Sequence, residues 1–142
     1  MILKMLATCF VLFILCGIGV LALMPTPDVR DLRLLPDELG MWFDTHDFER
    51  NTLGGIVLQL GSLVAFAAWR VGSTPIRLVG ISSVSSLLAF SLAEMVQLAL
   101  PMRNFDWMDI GAALIGISAV NLAFLVIAIP IWIGMQMRAF RS

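Results

Sequence analysis

Four long apolar stretches alternate with shorter polar ones along this chain of 142 residues. Residues 2–24 carry one charge, Lys4. Residues 53–69 are apolar around a central Gln59. Residues 78–100 are apolar but rich in serine, at positions 82, 83, 85 and 86. Residues 110–134 are apolar around Asn121. Each stretch has the length of a helix crossing a hydrocarbon core of about 30 Å, for which about 20 residues suffice. The pattern predicts an all-α membrane protein with four transmembrane helices, forming a single domain over 1–142 and folded as two helical hairpins.

The breaks between the stretches have local causes. Pro25 and Pro27 end the first helix. Residues 25–52 read as a polar loop lying against the membrane. In it, Val29, Leu32 and Leu35 share one apolar face, which predicts a short interfacial helix near 28–35. Trp42, Phe43 and Phe48 suit the membrane–water interface. Arg70 to Arg77, with Gly72 and Pro75, reads as a tight turn, and residues 101–109 as a short connection. Pro130 is expected to kink the last helix, because it removes a backbone donor and crowds the carbonyl of Val126.

A cleaved signal peptide is the rival reading of residues 2–24. The run is long for that role and Ala22-Leu23-Met24 is a poor cleavage site, so a retained helix is favoured. A lipoprotein reading also fails, because Leu15 precedes Cys16 and Cys9 has no apolar run before it. Cys9 and Cys16 lie two helical turns apart, roughly 10 Å along the axis. That is too far for a disulfide, and both read as buried small apolar residues.

Composition supports the membrane class. Apolar residues make up 60% of the chain and charged residues 13%, with a mean hydropathy of +0.97. A soluble domain of this size could not hide that surface. No basic patch suits nucleic acid. The net charge of −1 conceals an asymmetry. With four spans, Lys4, Arg70, Arg77, Arg138 and Arg141 share one side without any acid. All 10 acidic residues fall on the other side, with Arg30, Arg33, Arg50 and Arg103. The positive-inside rule then puts both termini in the cytoplasm and the acidic loops outside.

A short internal repeat has an offset of 62 residues. Asp44, Asp47, Asn51 and Gly54 correspond to Asp106, Asp109, Ala113 and Gly116, and Gln59 corresponds to Asn121. The second and fourth spans thus start alike and carry an amide at one depth. This predicts two parallel hairpins about an axis along the membrane normal.

The candidate chemistry sits mainly between Ser91 and Gly116. Glu94 and Gln97 are three apart and so share a helix surface. A carboxylate about 10 Å below the helix end must be paired, protonated or facing a wet cavity. Arg103 is its natural partner. Two readings stand: an ion pair that closes the hairpin, or a site where Glu94, Gln97 and Arg103 hold a headgroup, phosphate or proton. Asp106 is placed to N-cap the fourth helix, with Asp109 at its third position. Asp44 and Asp47 could do the same for the second helix; cation binding by these grouped carboxylates is the alternative. With Asn51 they form a second candidate cluster. His46 is the only histidine and reads as interfacial, and the chain carries no recognised zinc pattern. Gln59 and Asn121, if they face each other, form a buried hydrogen-bonded pair. There is no Walker loop, GxSxG or HExxH, and no metal or cofactor is expected.

At these residues the chain resembles the VanZ-like family of bacterial membrane proteins. The family pattern has Glu and Gln three apart, then Arg, then Asp starting the next helix, then Asn and Gly. Here these are Glu94, Gln97, Arg103, Asp109, Ala113 and Gly116, with Ala113 in place of the Asn. Asp106 matches a polar position between the Arg and the Asp. The family's earlier Asp and Asn, ahead of a helix often carrying Pro-Leu-Gly, resemble Asp47, Asn51 and Leu60-Gly61, with Gln59 where the Pro stands. The family's Asp-Lys…His motif is absent. The founding type is associated with teicoplanin resistance, so the resemblance implies a protein of the bacterial inner membrane and cell envelope. Its partners would be membrane lipid, and a lipid-linked cell-wall component or other membrane proteins. The function it implies is recognition of a lipid or glycan headgroup by the outward polar cluster. An accessory subunit of a larger complex is the alternative. A membrane enzyme acting on a lipid-linked substrate ranks third, for want of a catalytic motif.

Overall fold

The computed structural model describes residues 2–23, 36–100 and 106–139. They form five helices: α1 (Ile2–Leu23), α2 (Asp37–Thr45), α3 (Asp47–Ala68), α4 (Pro75–Gln97) and α5 (Trp107–Ala139). No strand occurs among the described residues. By length and composition, α3, α4 and α5 can each cross a membrane. The helix expected near 28–35 and the side chain of Arg103 lie outside the described residues.

The helices run further into polar sequence than hydropathy indicates. Residues 36–52, read from the sequence as loop, are largely helical. Pro36 precedes α2 in an extended conformation (φ −55°, ψ 144°), and Asp37 and Glu38 occupy the first turn, where negative charge suits the helix dipole. His46 alone separates α2 from α3; its N–H bonds Trp42 O at 3.1 Å. Asp47 and Glu49 then start α3. Helix α4 begins at Pro75 rather than 78, because proline suits the first helical position and the Thr74 hydroxyl accepts from the N–H of Arg77 (3.3 Å). Helix α5 extends the predicted 110–134 at both ends, with Pro130 inside it. Its 33 residues span about 50 Å at 1.5 Å per residue.

Helix α3 is the centre of the bundle, packing on α1, α4 and α5. Its closest approach is to α5, and glycine makes it possible. A Cβ on Gly55 would collide with the backbone of Ala113, and one on Gly116 with Thr52 O. Small residues let backbones approach in this way where lipid offers no hydrophobic drive to association. Thr52 meets Gly116 and Gln59 meets Asn121, so α3 and α5 run in the same direction. Helix α4 returns antiparallel, with Phe90 beside Gly54 and Ser82 beside Gln59. On the other flank, Ile14 of α1 fills the space left by Gly61. Trp69 Nε1 donates to Thr8 Oγ1 at 3.0 Å, and Lys4 Nζ lies 5.0 Å from the Trp69 ring centroid. Ile14, Leu58, Phe90 and Ala113 form the apolar core.

Cys9 and Cys16 are free thiols on the bundle surface, not buried as their apolar setting led us to expect. A helix in lipid can present apolar residues outward, so apolarity does not report burial here.

Candidate functional site

The described members of the two candidate clusters converge at one end of the bundle. Asn51 on α3 faces Asp109 in the first turn of α5. Arg50 is near enough to attract the Asp109 carboxylate, while Asp106 and Asp47 repel it. Arg50 is itself fixed twice. Its Nη2 pairs with Asp47 Oδ1 at 2.8 Å, and its Nη1 donates to the Phe43 carbonyl at 3.2 Å. The Arg50 side chain is 19% exposed but that of Asp47 is 65% exposed, so solvent screens the pair and it contributes little to stability by itself. Asn51 Nδ2 is buried and has no hydrogen-bond partner within ordinary distance.

Glu94 reaches the same level from α4. It is 3% exposed, and Gln97 Nε2 donates to its Oε1 at 3.4 Å. The antiparallel register, with Phe90 beside Gly54, puts Glu94 within about one helical turn of Asn51 along the bundle axis. Three helices thus deliver Asn51, Glu94 and Asp109 to one end. The expected pairing of Glu94 with Arg103 lies outside the described residues.

The caps differ between the two halves. Asp106 N-caps α5 as expected: its Oδ1 accepts from Met108 N at 2.7 Å. Asp109 follows at the third helical position, its N–H directed at Asp106 O (3.3 Å). Asp44 and Asp47 do not cap α3. Its N-cap is His46, with no side-chain cap bond, because α2 continues through Asp44 and moves the helix boundary to His46. Asp47 is instead the first residue of α3 and pairs with Arg50. His46 is half-buried and stacks on Trp42 at 4.9 Å between ring centroids. Its Nδ1 lies 2.8 Å from Thr45 Oγ1 and 3.0 Å from Trp42 O.

A second polar group lies deep in the bundle. Gln59 is fully buried and donates through Nε2 to Asn121 Oδ1 (2.6 Å) and Ser82 Oγ (2.9 Å). Asn121 Nδ2 donates to Ser83 Oγ at 2.8 Å. The Ser82 and Ser83 hydroxyls donate back to Val79 O, which leaves their lone pairs free to accept from the amides. Ser86 Oγ donates to Ser62 Oγ at 3.0 Å. The Gln59–Asn121 pair was legible from the sequence. The Ser62–Ser86 bridge was not, since Ser62 has no repeat partner to draw attention to it. These bonds tie α3, α4 and α5 together in the low-dielectric interior, where an unmade bond is costly.

Chemically, the end cluster offers carboxylate acceptors, one amide and one restrained guanidinium. That set accepts hydrogen bonds from hydroxyl or ammonium groups. No group of three or more His, Cys, Asp or Glu side chains able to hold a metal occurs among the described residues. No family model, curated protein or solved structure matches the chain.

Proposed function

We propose that this chain is a four-span protein of the bacterial inner membrane, VanZ-like in type, that holds a lipid or glycan headgroup at its acidic end. In this reading α1 is the fourth span, both termini lie in the cytoplasm, and the Asn51–Glu94–Asp109 end faces outward. The observation that carries it is the approach of Asn51 to Asp109. These residues come from separate sequence clusters and lie at the level of the buried Glu94. Such groups are expensive in a membrane and mark functional sites. The close α3–α5 crossing at Gly55 and Gly116 accounts for helix association without them. Glu94 and Asp109 would accept from sugar hydroxyls or a headgroup amine, and the Asn51 amide would donate. Gln97 would orient Glu94, with Asp106 and Asp47–Arg50 fixing the two helix starts.

The test is gentle purification from native membranes, with mass spectrometry of the lipids and proteins that remain bound. An amine- or glycan-bearing lipid lost in both Glu94→Gln and Arg103→Ala supports this reading. A stoichiometric protein partner retained in wild type and variants alike replaces it with an accessory-subunit role.

A further inference from the structure

At the opposite end of the bundle, we propose a binding groove for an anionic phospholipid, independent of the acidic cluster. The acyl chain lies between α3 and α5, and the phosphate meets Arg70 and Arg138.

Two hollows follow one another along one face of α5. The deeper one, about 390 Å³, is lined by Leu60, Val64 and Ala67 of α3 and by Val120, Phe124 and Ile127 of α5. A second cavity of about 410 Å³ follows along α5, lined by Pro130, Ile131, Gly134, Met135 and Arg138. The α5 positions of the two cavities step by three and four residues, so they form a single stripe on one helix face.

Charge identifies the occupant. The lining of the deeper cavity is apolar throughout, which fits a hydrocarbon chain. The α5 wall leads to one arginine, and a second stands in the turn that follows α3. The stripe on α5 ends at Arg138. Arg70 lies just beyond the end of α3 at Ala68, in the turn where the backbone is left-handed (φ 56°). No acidic residue lies between Arg50 and Glu94 or after Asp109, so nothing acidic in those segments competes for the arginines. With α3 and α5 in register at Gln59 and Asn121, α3 ends at about the level of Pro130. The last turns of α5 therefore extend past α3. Ile131 and Met135 are 58% and 57% exposed there, in the shape of a half-open slot. Arginines at a membrane surface bind anionic headgroups, at a gain of about fivefold each.

The protein is reconstituted into nanodiscs of equal phosphatidylglycerol and phosphatidylcholine, released gently, and its bound lipids are counted by native mass spectrometry. Wild type is expected to retain phosphatidylglycerol over phosphatidylcholine by at least tenfold. Arg70→Gln with Arg138→Gln should reduce that preference to within about twofold. Gly134→Phe fills the slot from a position where an added Cβ meets nothing within 4 Å. It should displace the lipid while leaving the melting temperature of delipidated protein unchanged. If that variant unfolds, Ala123→Phe serves the same purpose in the deeper cavity. Equal retention of the two lipids by wild type would overturn the proposal, as would retention unaffected by filling the slot. So would a dimer that Gly134→Phe converts to monomer, since a second copy would then occupy the groove.

Discussion

Gln59 of α3 donates a 2.6 Å hydrogen bond to Asn121 of α5, and the two residues are 62 positions apart. The same interval separates Asp47 from Asp109 and Gly54 from Gly116. The repeat in the sequence therefore coincides with a packing register. Parallel helices that begin alike bring matching positions to one depth, where one amide can donate to the other. Breaking this bond with Gln59→Leu leaves Asn121 Oδ1 without its donor. A double-mutant cycle with Asn121→Leu, read by thermal unfolding in detergent, should give a coupling of about 1 kcal/mol, in the range of interhelical bonds in membranes. Additive single-variant losses would show that the bond contributes nothing.

The α3–α5 crossing predicts a sharp division among glycines. Gly116→Ala should cost more than about 2 kcal/mol, because its Cβ would enter the Thr52 carbonyl and close on Ile56 N at 2.9 Å. Gly111→Ala, whose Cβ meets nothing within 4 Å, should stabilise by roughly 0.5–1 kcal/mol through helix propensity. Unfolding of the two variants under identical detergent conditions checks the contrast.

In the VanZ-like reading proposed above, Ala113 takes the place of an asparagine. Its side chain is fully buried at the crossing with Gly55. Ala113→Asn should therefore destabilise by about 1–3 kcal/mol, as overpacking does. If the variant is as stable as wild type and gains ligand retention, the alanine is a functional replacement rather than a packing one.

Capping at α5 can be tested apart from any ligand. Asp106→Ala removes the acceptor for Met108 N (2.7 Å) and should cost about 1 kcal/mol. Asp106→Ser should recover most of that. The corresponding Asp44→Ala should leave the start of α3 unaffected, since His46 is its N-cap.

Much of this architecture is legible in the chain because lipid imposes a simple rule on it. Backbone groups must be satisfied within the segment, so long apolar runs are helices. Polar exceptions such as Gln59 and Asn121 then point inward. Helix ends are less legible. Residues 36–52 look like loop by hydropathy, yet Asp37, Glu38, Asp47 and Glu49 sit in first helical turns, where acidic side chains are favourable. Which face of α1 turns outward was also hidden, because Cys9 and its neighbours are apolar all round. The meeting of Asn51 with Asp109 depended on the α3–α5 register, which the offset of 62 contained but only the glycine crossing made concrete.

The central claim is that Asn51, Glu94 and Asp109 hold a ligand rather than the fold. The most direct measurement compares the melting temperatures of wild type, Asn51→Ala and Glu94→Gln, each with native lipid retained and after exhaustive delipidation. A ligand that binds only the folded state raises stability by mass action. The predicted result is a melting temperature within about 2 °C of wild type for both delipidated variants, together with loss of the upward shift that native lipid gives wild type. Large losses in the delipidated variants, with the lipid shift intact, would contradict the claim and make the cluster structural.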